Sequence, residues 1–188
     1  MRVIGGEFRS RRLKALPGRA VRPTSDRLRE TLFNVLGEQV AGSTFVDAYA
    51  GSGAVGIEAL SRGAARAVFI ENDRKAVSVL RRNLRALGLE GRAKVLEKSV
   101  TRAIGAIEAD IVFLDPPYAE AGEYETTLSL LGKSPPALVV AERLSGRRIP
   151  LPVFHLHLKL CGLNWIFSGR RPRRFLPRGR PISRPRPQ

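Results

Sequence analysis

Leu28, Leu32, Phe33 and Leu36 recur three and four residues apart, which predicts a helix from about Asp26 to Leu36 with Ser25 or Asp26 as N-cap and Gly37 as terminator. It follows Arg22-Pro23-Thr24, an extended approach, because the residue before a proline avoids the helical region. From Thr44 the chain alternates between two periods. Short apolar runs at Thr44 to Ala48, Ala67 to Glu71, Ala93 to Leu96, Asp110 to Leu114 and Ala137 to Ala141 read as strands. Helical patterns fall at Ala54 to Arg62, Arg74 to Leu87 and Tyr124 to Leu131, with a further helix before Asp110. In the second of these, Val77, Leu80, Leu84 and Leu87 line one face and Gly88 ends the run. Strands joined by helical crossovers imply an α/β fold whose parallel sheet is covered on both faces. The pattern then changes: Phe154, Leu156, Leu158 and Leu160 alternate with His155, His157 and Lys159. That period of two predicts a strand that Cys161-Gly162 turns into Leu163 to Phe167, a terminal antiparallel hairpin.

With 188 residues and 43% apolar content, the chain suits one globular domain with a sizeable core. Its net charge of +16 favours an anionic partner such as nucleic acid. Eight of the 33 basic residues lie among the last twenty, yet the first 168 residues still hold 25 bases against 17 acids. Arg2, Arg9, Arg11, Arg12, Lys14, Arg19 and Arg22 are opposed only by Glu7. Three regions follow: a basic, hairpin-like arm over 1–22, a domain over 23–168, and an Arg/Pro-rich tail over 169–188. The tail has too little apolar surface to fold and is expected to be disordered, with loose phosphate contact as its functional reading.

A single cysteine, Cys161, excludes an internal disulfide. His155 and His157 share a strand face but have no third ligand in view, so no metal is expected. No apolar run is long enough for a membrane span, and Ser10-Arg11-Arg12 is not followed by the apolar stretch of an export signal. The expectation is a cytoplasmic protein, monomeric by preference.

Gly51-Ser52-Gly53-Ala54-Val55-Gly56 sits between a strand and a helix, where missing side chains let backbone approach a ligand. Asp47 ends the strand, and Glu71, twenty residues after Gly51, ends the next one, where an acid can accept bonds from ribose hydroxyls. Glu71 alone suits NAD equally well. Asp115-Pro116-Pro117-Tyr118 at a strand end decides for amine methylation. An exocyclic amine on a base is a poor nucleophile, and an enzyme must accept bonds from its hydrogens to aim its lone pair. Asp115 and the carbonyl of Pro116, aimed by the stiff Pro-Pro unit, can each accept one; Tyr118 can stack on the extruded base.

The order Arg22-Pro23-Thr24, Arg29-Glu30, Phe33, then Asp47 through Gly56 with Glu58-Ala59-Leu60-Ser61-Arg62-Gly63-Ala64, then Glu71, then Asp115 to Tyr118, resembles the RsmD family of bacterial 16S rRNA guanine-N2 methyltransferases. The likeness runs from Met1 to about Leu158. It implies a Rossmann-like class I methyltransferase fold with a mostly parallel seven-stranded sheet, S-adenosyl-L-methionine as donor, and a guanine of 16S rRNA, free or in a small-subunit assembly particle, as acceptor. By the same likeness Asp47, Gly51, Gly53 and Glu71 would hold the cofactor, Asp115, Pro116 and Tyr118 the target base, with Thr24 and Arg27 beside the site. Two stretches depart from the family pattern. Lys98-Ser99-Val100 stands where an acid is usual near the adenine, leaving that contact to the Ser99 hydroxyl or to backbone. Leu160 to Trp165 and the tail replace the usual Arg-Tyr-Gly turn and closing strand. The rival readings are an amino methyltransferase for DNA or protein glutamine, and a non-catalytic RNA-binding assembly factor.

Overall fold

The computed structural model describes residues 1–16, 26–116, 121–133, 136–143, 155–160 and 163–169, with the backbone alone for the last two segments. Five parallel strands form its centre in the order β3-β2-β1-β4-β5: β1 Thr44–Ala48, β2 Arg66–Glu71, β3 Ala93–Glu97, β4 Ile111–Leu114 and β5 Leu138–Arg143. Beyond β5 lie β7 Leu163–Gly169 and β6 His155–Leu160, antiparallel to each other, with β7 antiparallel to β5. The tail beyond Gly169 and the turn at Cys161-Gly162 lie outside the described residues.

Alternation along the strands divides the core in two. Phe45, Ala67, Phe69, Ile111 and Phe113 point to one face, under α1 Asp26–Leu36, α2 Ala54–Ser61 and α3 Arg74–Ala86. Val46, Val68, Ile70, Val112 and Leu114 point to the other, under α4 Val100–Ala103 and α5 Ala121–Lys133. Each large apolar side chain removed from water in these layers contributes roughly 1.5–3 kcal/mol. Both faces being covered explains why the inner strands read as continuous apolar runs.

Most predicted elements lie within a residue or two of those observed, and the differences have local causes. Gly37 ends α1 with φ +52, but the chain tightens directly into a 3-10 turn, Gly37–Val40, that buries Val40 instead of leaving the surface. The crossover before β4 is one turn of α-helix followed by a 3-10 turn, Ile104–Ala106, because the connection is short. α5 begins at Ala121 and ends at Lys133, longer than its apolar stripe suggests. α3 opens on Asp73, whose carboxylate accepts the amides of Lys75 at 2.8 Å and Ala76 at 3.4 Å, and is followed by Gly88 at φ +66.

Residues 1–16 fold back on themselves through an antiparallel bridge between Arg2 and Arg12 and bury Val3 and Leu13 in the core beneath α1, α2 and α3. Their docking is polar. Glu58, fully buried on α2, accepts the amides of Ile4 at 2.7 Å and Gly5 at 2.8 Å, and pairs with Arg62 at 2.7 Å. Ser61 donates from its hydroxyl to the Gly5 carbonyl and accepts the Phe8 amide. Gly6 passes so close to the Ser61 carbonyl that a Cβ would lie 1.8 Å from it, which only glycine avoids. Arg62 also lies over the Phe33 ring at 5.2 Å. The block Glu58 to Ala64, conspicuous in the sequence, is the socket of the arm.

Candidate functional site

β1 is the point where the chain leaves the middle of the sheet outward to β2 and β3 before returning to β4. A crevice opens beyond the strand ends at such a reversal, and here it receives the ends of β2, β1 and β4. Asp47, 2% exposed, lies one residue before the end of β1 and accepts the Gly56 amide at 2.8 Å, tying strand to helix N-terminus. The chain then turns at Tyr49 with φ +69, a conformation that costs an aromatic residue about 1–2 kcal/mol. Two backbone bonds hold it there, from the amides of Tyr49 and Ala50 to the Ile70 carbonyl, and the Tyr49 hydroxyl lies 3.3 Å from Thr127 Oγ1 on α5. Gly51 has φ +54 and open space where a Cβ would stand; Gly53 has φ +82, and a Cβ there would lie 2.2 Å from Leu80 Cδ1.

Glu71 ends β2 with its carboxylate already fixed. Oε1 accepts the amides of Asn72 and Asp73, both at 2.9 Å, and Oε2 accepts Gly51 at 2.8 Å. A carboxylate has about four acceptor positions, so room for a ligand hydroxyl remains. Beside it a cavity is lined by Tyr49, Ile70, Glu71, Lys98, Val100 and Glu123. Ser99 is not among its lining residues: it is half-buried at the N-cap of α4, with Thr101 Oγ1 at 3.5 Å from its hydroxyl. The side chains that reach the cavity are its neighbours Lys98 and Val100.

At the end of β4, Asp115 is half-buried and Pro116 buried. Burial pushes the Asp47 carboxyl up to about 8; the Gly56 hydrogen bond opposes this, and the charges of Asp115 and Glu71 add to it. Three acids thus share one field around the glycine loop, and Asp47 answers it by staying largely protonated at neutral pH while Glu71 and Asp115 supply the charge. A cation with hydroxyl groups relieves their repulsion, as a sulfonium bearing an ammonium and a ribose would. With Asp47 largely protonated, the charges of Glu71 and Asp115 keep the crevice anionic, which fits a cationic donor such as S-adenosylmethionine better than a dinucleotide carrying a pyrophosphate.

The structure brings Asp47, Gly51, Glu71 and Asp115 together at the strand ends, with Gly53 in the same loop and Pro116 buried next to Asp115. Thr24 and Tyr118 lie outside the described residues, and Arg27 is exposed on α1. Sequence reasoning missed Tyr49, Asn72 and Glu123, and within Lys98-Ser99-Val100 it chose Ser99 where Lys98 and Val100 reach the cavity. A left-handed aromatic leaves no trace in hydropathy, and a charged lining residue looks like any surface charge. The reach from β2 to Glu123 depends on the chain crossing the sheet. Among the described residues no His, Cys, Asp and Glu group could hold a metal ion, and no helix is long and apolar enough to cross a membrane.

Residues 1–158 match the family described as conserved hypothetical protein 95. Ribosomal RNA small subunit methyltransferase D of Escherichia coli (strain K12) is 42% identical over 133 residues, which span 70% of this chain and 66% of the relative. The protein of the same name in Haemophilus influenzae is 37% identical over 151 residues, spanning 76% and 78%. The solved structure of yhhF from Escherichia coli superposes with a TM-score of 0.77 at 35% identity, covering 90% of this chain and 97% of that one. Together with the five parallel strands, that likeness gives a Rossmann-like class I fold.

Proposed function

From the premise that the chain belongs to the RsmD family of rRNA methyltransferases, we propose that it transfers the methyl group of S-adenosylmethionine to the exocyclic N2 amine of a guanine in 16S rRNA, in the cytoplasm. The observation that supports this best is the convergence of Asp47, Glu71 and Asp115 around a glycine loop, an anionic crevice suited to a cationic methyl donor. In this reading β6 and β7 are the hairpin that completes a seven-stranded class I methyltransferase sheet.

The donor, when bound, supplies an electrophilic methyl on a good leaving group, so no covalent intermediate with the protein is required. Glu71, held by three backbone amides, accepts a ribose hydroxyl. Gly51 and Gly53 let the loop approach the donor closely. Asp47, kept largely protonated at neutral pH by its burial, holds the loop to α2. Asp115 and the Pro116 carbonyl accept bonds from the two amine hydrogens, aim the lone pair at the methyl, and leave the proton to pass late to Asp115 or water. Tyr118 is assigned to stacking on the base and Thr24 to the edge of the site. Lys98 and Val100 line the cavity on either side of Ser99, so the adenine is assigned to these two side chains and to the backbone of the stretch in preference to the Ser99 hydroxyl.

The test is transfer of labelled methyl from S-adenosylmethionine to small-subunit particles or rRNA lacking the modification, with duplex DNA and a release factor in parallel, followed by nucleoside analysis. N2-methylguanosine is the expected product. Methyl on DNA or on glutamine would move the substrate assignment, and absence of donor binding would favour an assembly factor without catalysis.

A further inference from the structure

Asn83 lies on the inner face of α3 at 2% exposure, beside Ala76, Val79, Leu80 and Leu84. A carboxamide there is costly unless fully satisfied. Its oxygen accepts the Lys14 amide at 2.8 Å, while its nitrogen donates to the Lys14 carbonyl at 3.0 Å and to the Ser52 carbonyl at 2.9 Å. Both amide hydrogens are used, and both backbone groups of Lys14 end on one side chain.

The third bond reaches the glycine loop. The Ser52 carbonyl and the Gly53 amide belong to the same planar peptide unit. Asn83 holds its oxygen, and the Ala50 carbonyl accepts its N–H at 2.7 Å. That peptide plane is therefore pinned at both edges. Leu80, three residues before Asn83 on the same helix face, meets Gly53 from the same side. The loop and the last described residues of the basic arm rest on one platform, with Asn83 as the polar contact they share.

We propose that Asn83 is a positioning residue that couples the glycine loop to the N-terminal arm, so that occupation of the donor site and placement of the arm bias one another. The inference rests on the donor assignment made above. A ligand that tightens the loop orients the Ser52 carbonyl, strengthens its bond to Asn83, and restricts the amide that grips Lys14. By reciprocity, an anionic partner that fixes the arm restricts the loop.

Hydrogen exchange on the full chain, with and without saturating S-adenosylhomocysteine, tests this. In the wild type the ligand is expected to slow exchange across 50–56 and also, by about fivefold or more, across 9–16, the lower end of a measurable coupling. In Asn83→Leu the ligand should slow 50–56 and leave 9–16 unchanged. If Asn83→Leu is recovered unfolded, Asn83→Asp, which keeps the volume and an acceptor but loses both donors, is read in the same way. Equal slowing of 9–16 in wild type and variant, or a wild-type arm that does not respond while the loop does, would overturn the proposal alone. Absence of ligand binding to the wild type would overturn the donor assignment and this inference with it.

Discussion

Asp47 joins two roles that usually separate: it is a buried acid, and it is a loop anchor. Its carboxyl moves from 3.8 to about 8, burial being the main cause. An acid whose native pKa lies above its unfolded value holds more protons when folded, so its ionisation lowers stability as pH rises between those two values. The expected result is that the melting midpoint of Asp47→Asn exceeds that of the wild type at pH 9 and that the gap closes towards pH 4. About 1 kcal/mol corresponds to roughly 2–4 °C in a chain of this size. Parallel melting curves across that range would sink the assignment. Asp115 sits in the same field but has a different task. Asp115→Ala should lower turnover by ~10²–10³, the cost of losing one oriented partner of the reacting group, while donor affinity stays within a few fold. A variant that keeps most of its rate would remove Asp115 from the reaction. Both acids were legible in the sequence because each closes a strand beside a recognisable motif. Tyr49 and Asn83 were not: one owes its role to a backbone angle, the other to partners 31 and 69 residues away.

The helices and strands were mostly legible, for a physical reason. A sheet covered on both faces makes its strands apolar throughout, and helices that cover it must be striped. Periodicity therefore reports β1, β2, β4, α1 and α3 within a residue or two. It says little about α4, one turn long, or about the arm, whose attachment is made of backbone amides that every sequence has. Glu58 shows the difference. On a helical wheel it is one acid on a short helix; in the fold it is the buried acceptor for two arm amides and for Arg62. Glu58→Ala should release the arm and leave Arg62 without its buried partner, destabilising the chain by about 3–5 kcal/mol. Trypsin should then cut at Arg9, Arg11 and Arg12 much faster than in the wild type. Unchanged cleavage with a lowered midpoint would mean that Glu58 supports the core without holding the arm.

At the scale of the whole molecule, charge and shape act together. A net +16 spread over arm, helices and tail should make binding to small-subunit rRNA steeply dependent on salt. Even six phosphate contacts would weaken binding by ~10³ between 50 and 200 mM salt, a fall that fluorescence anisotropy resolves. A flat salt response would argue that the basic residues serve solubility alone. The docking of the arm also sets an order of events during synthesis. Residues 1–16 are synthesised before the residues that hold them: Glu58 and Ser61 follow their arm partners by 53 to 56 residues and Asn83 follows Lys14 by 69. Until those residues emerge, a strongly cationic strand waits unpaired beside the ribosome's own RNA, because the socket that receives the arm is made after it.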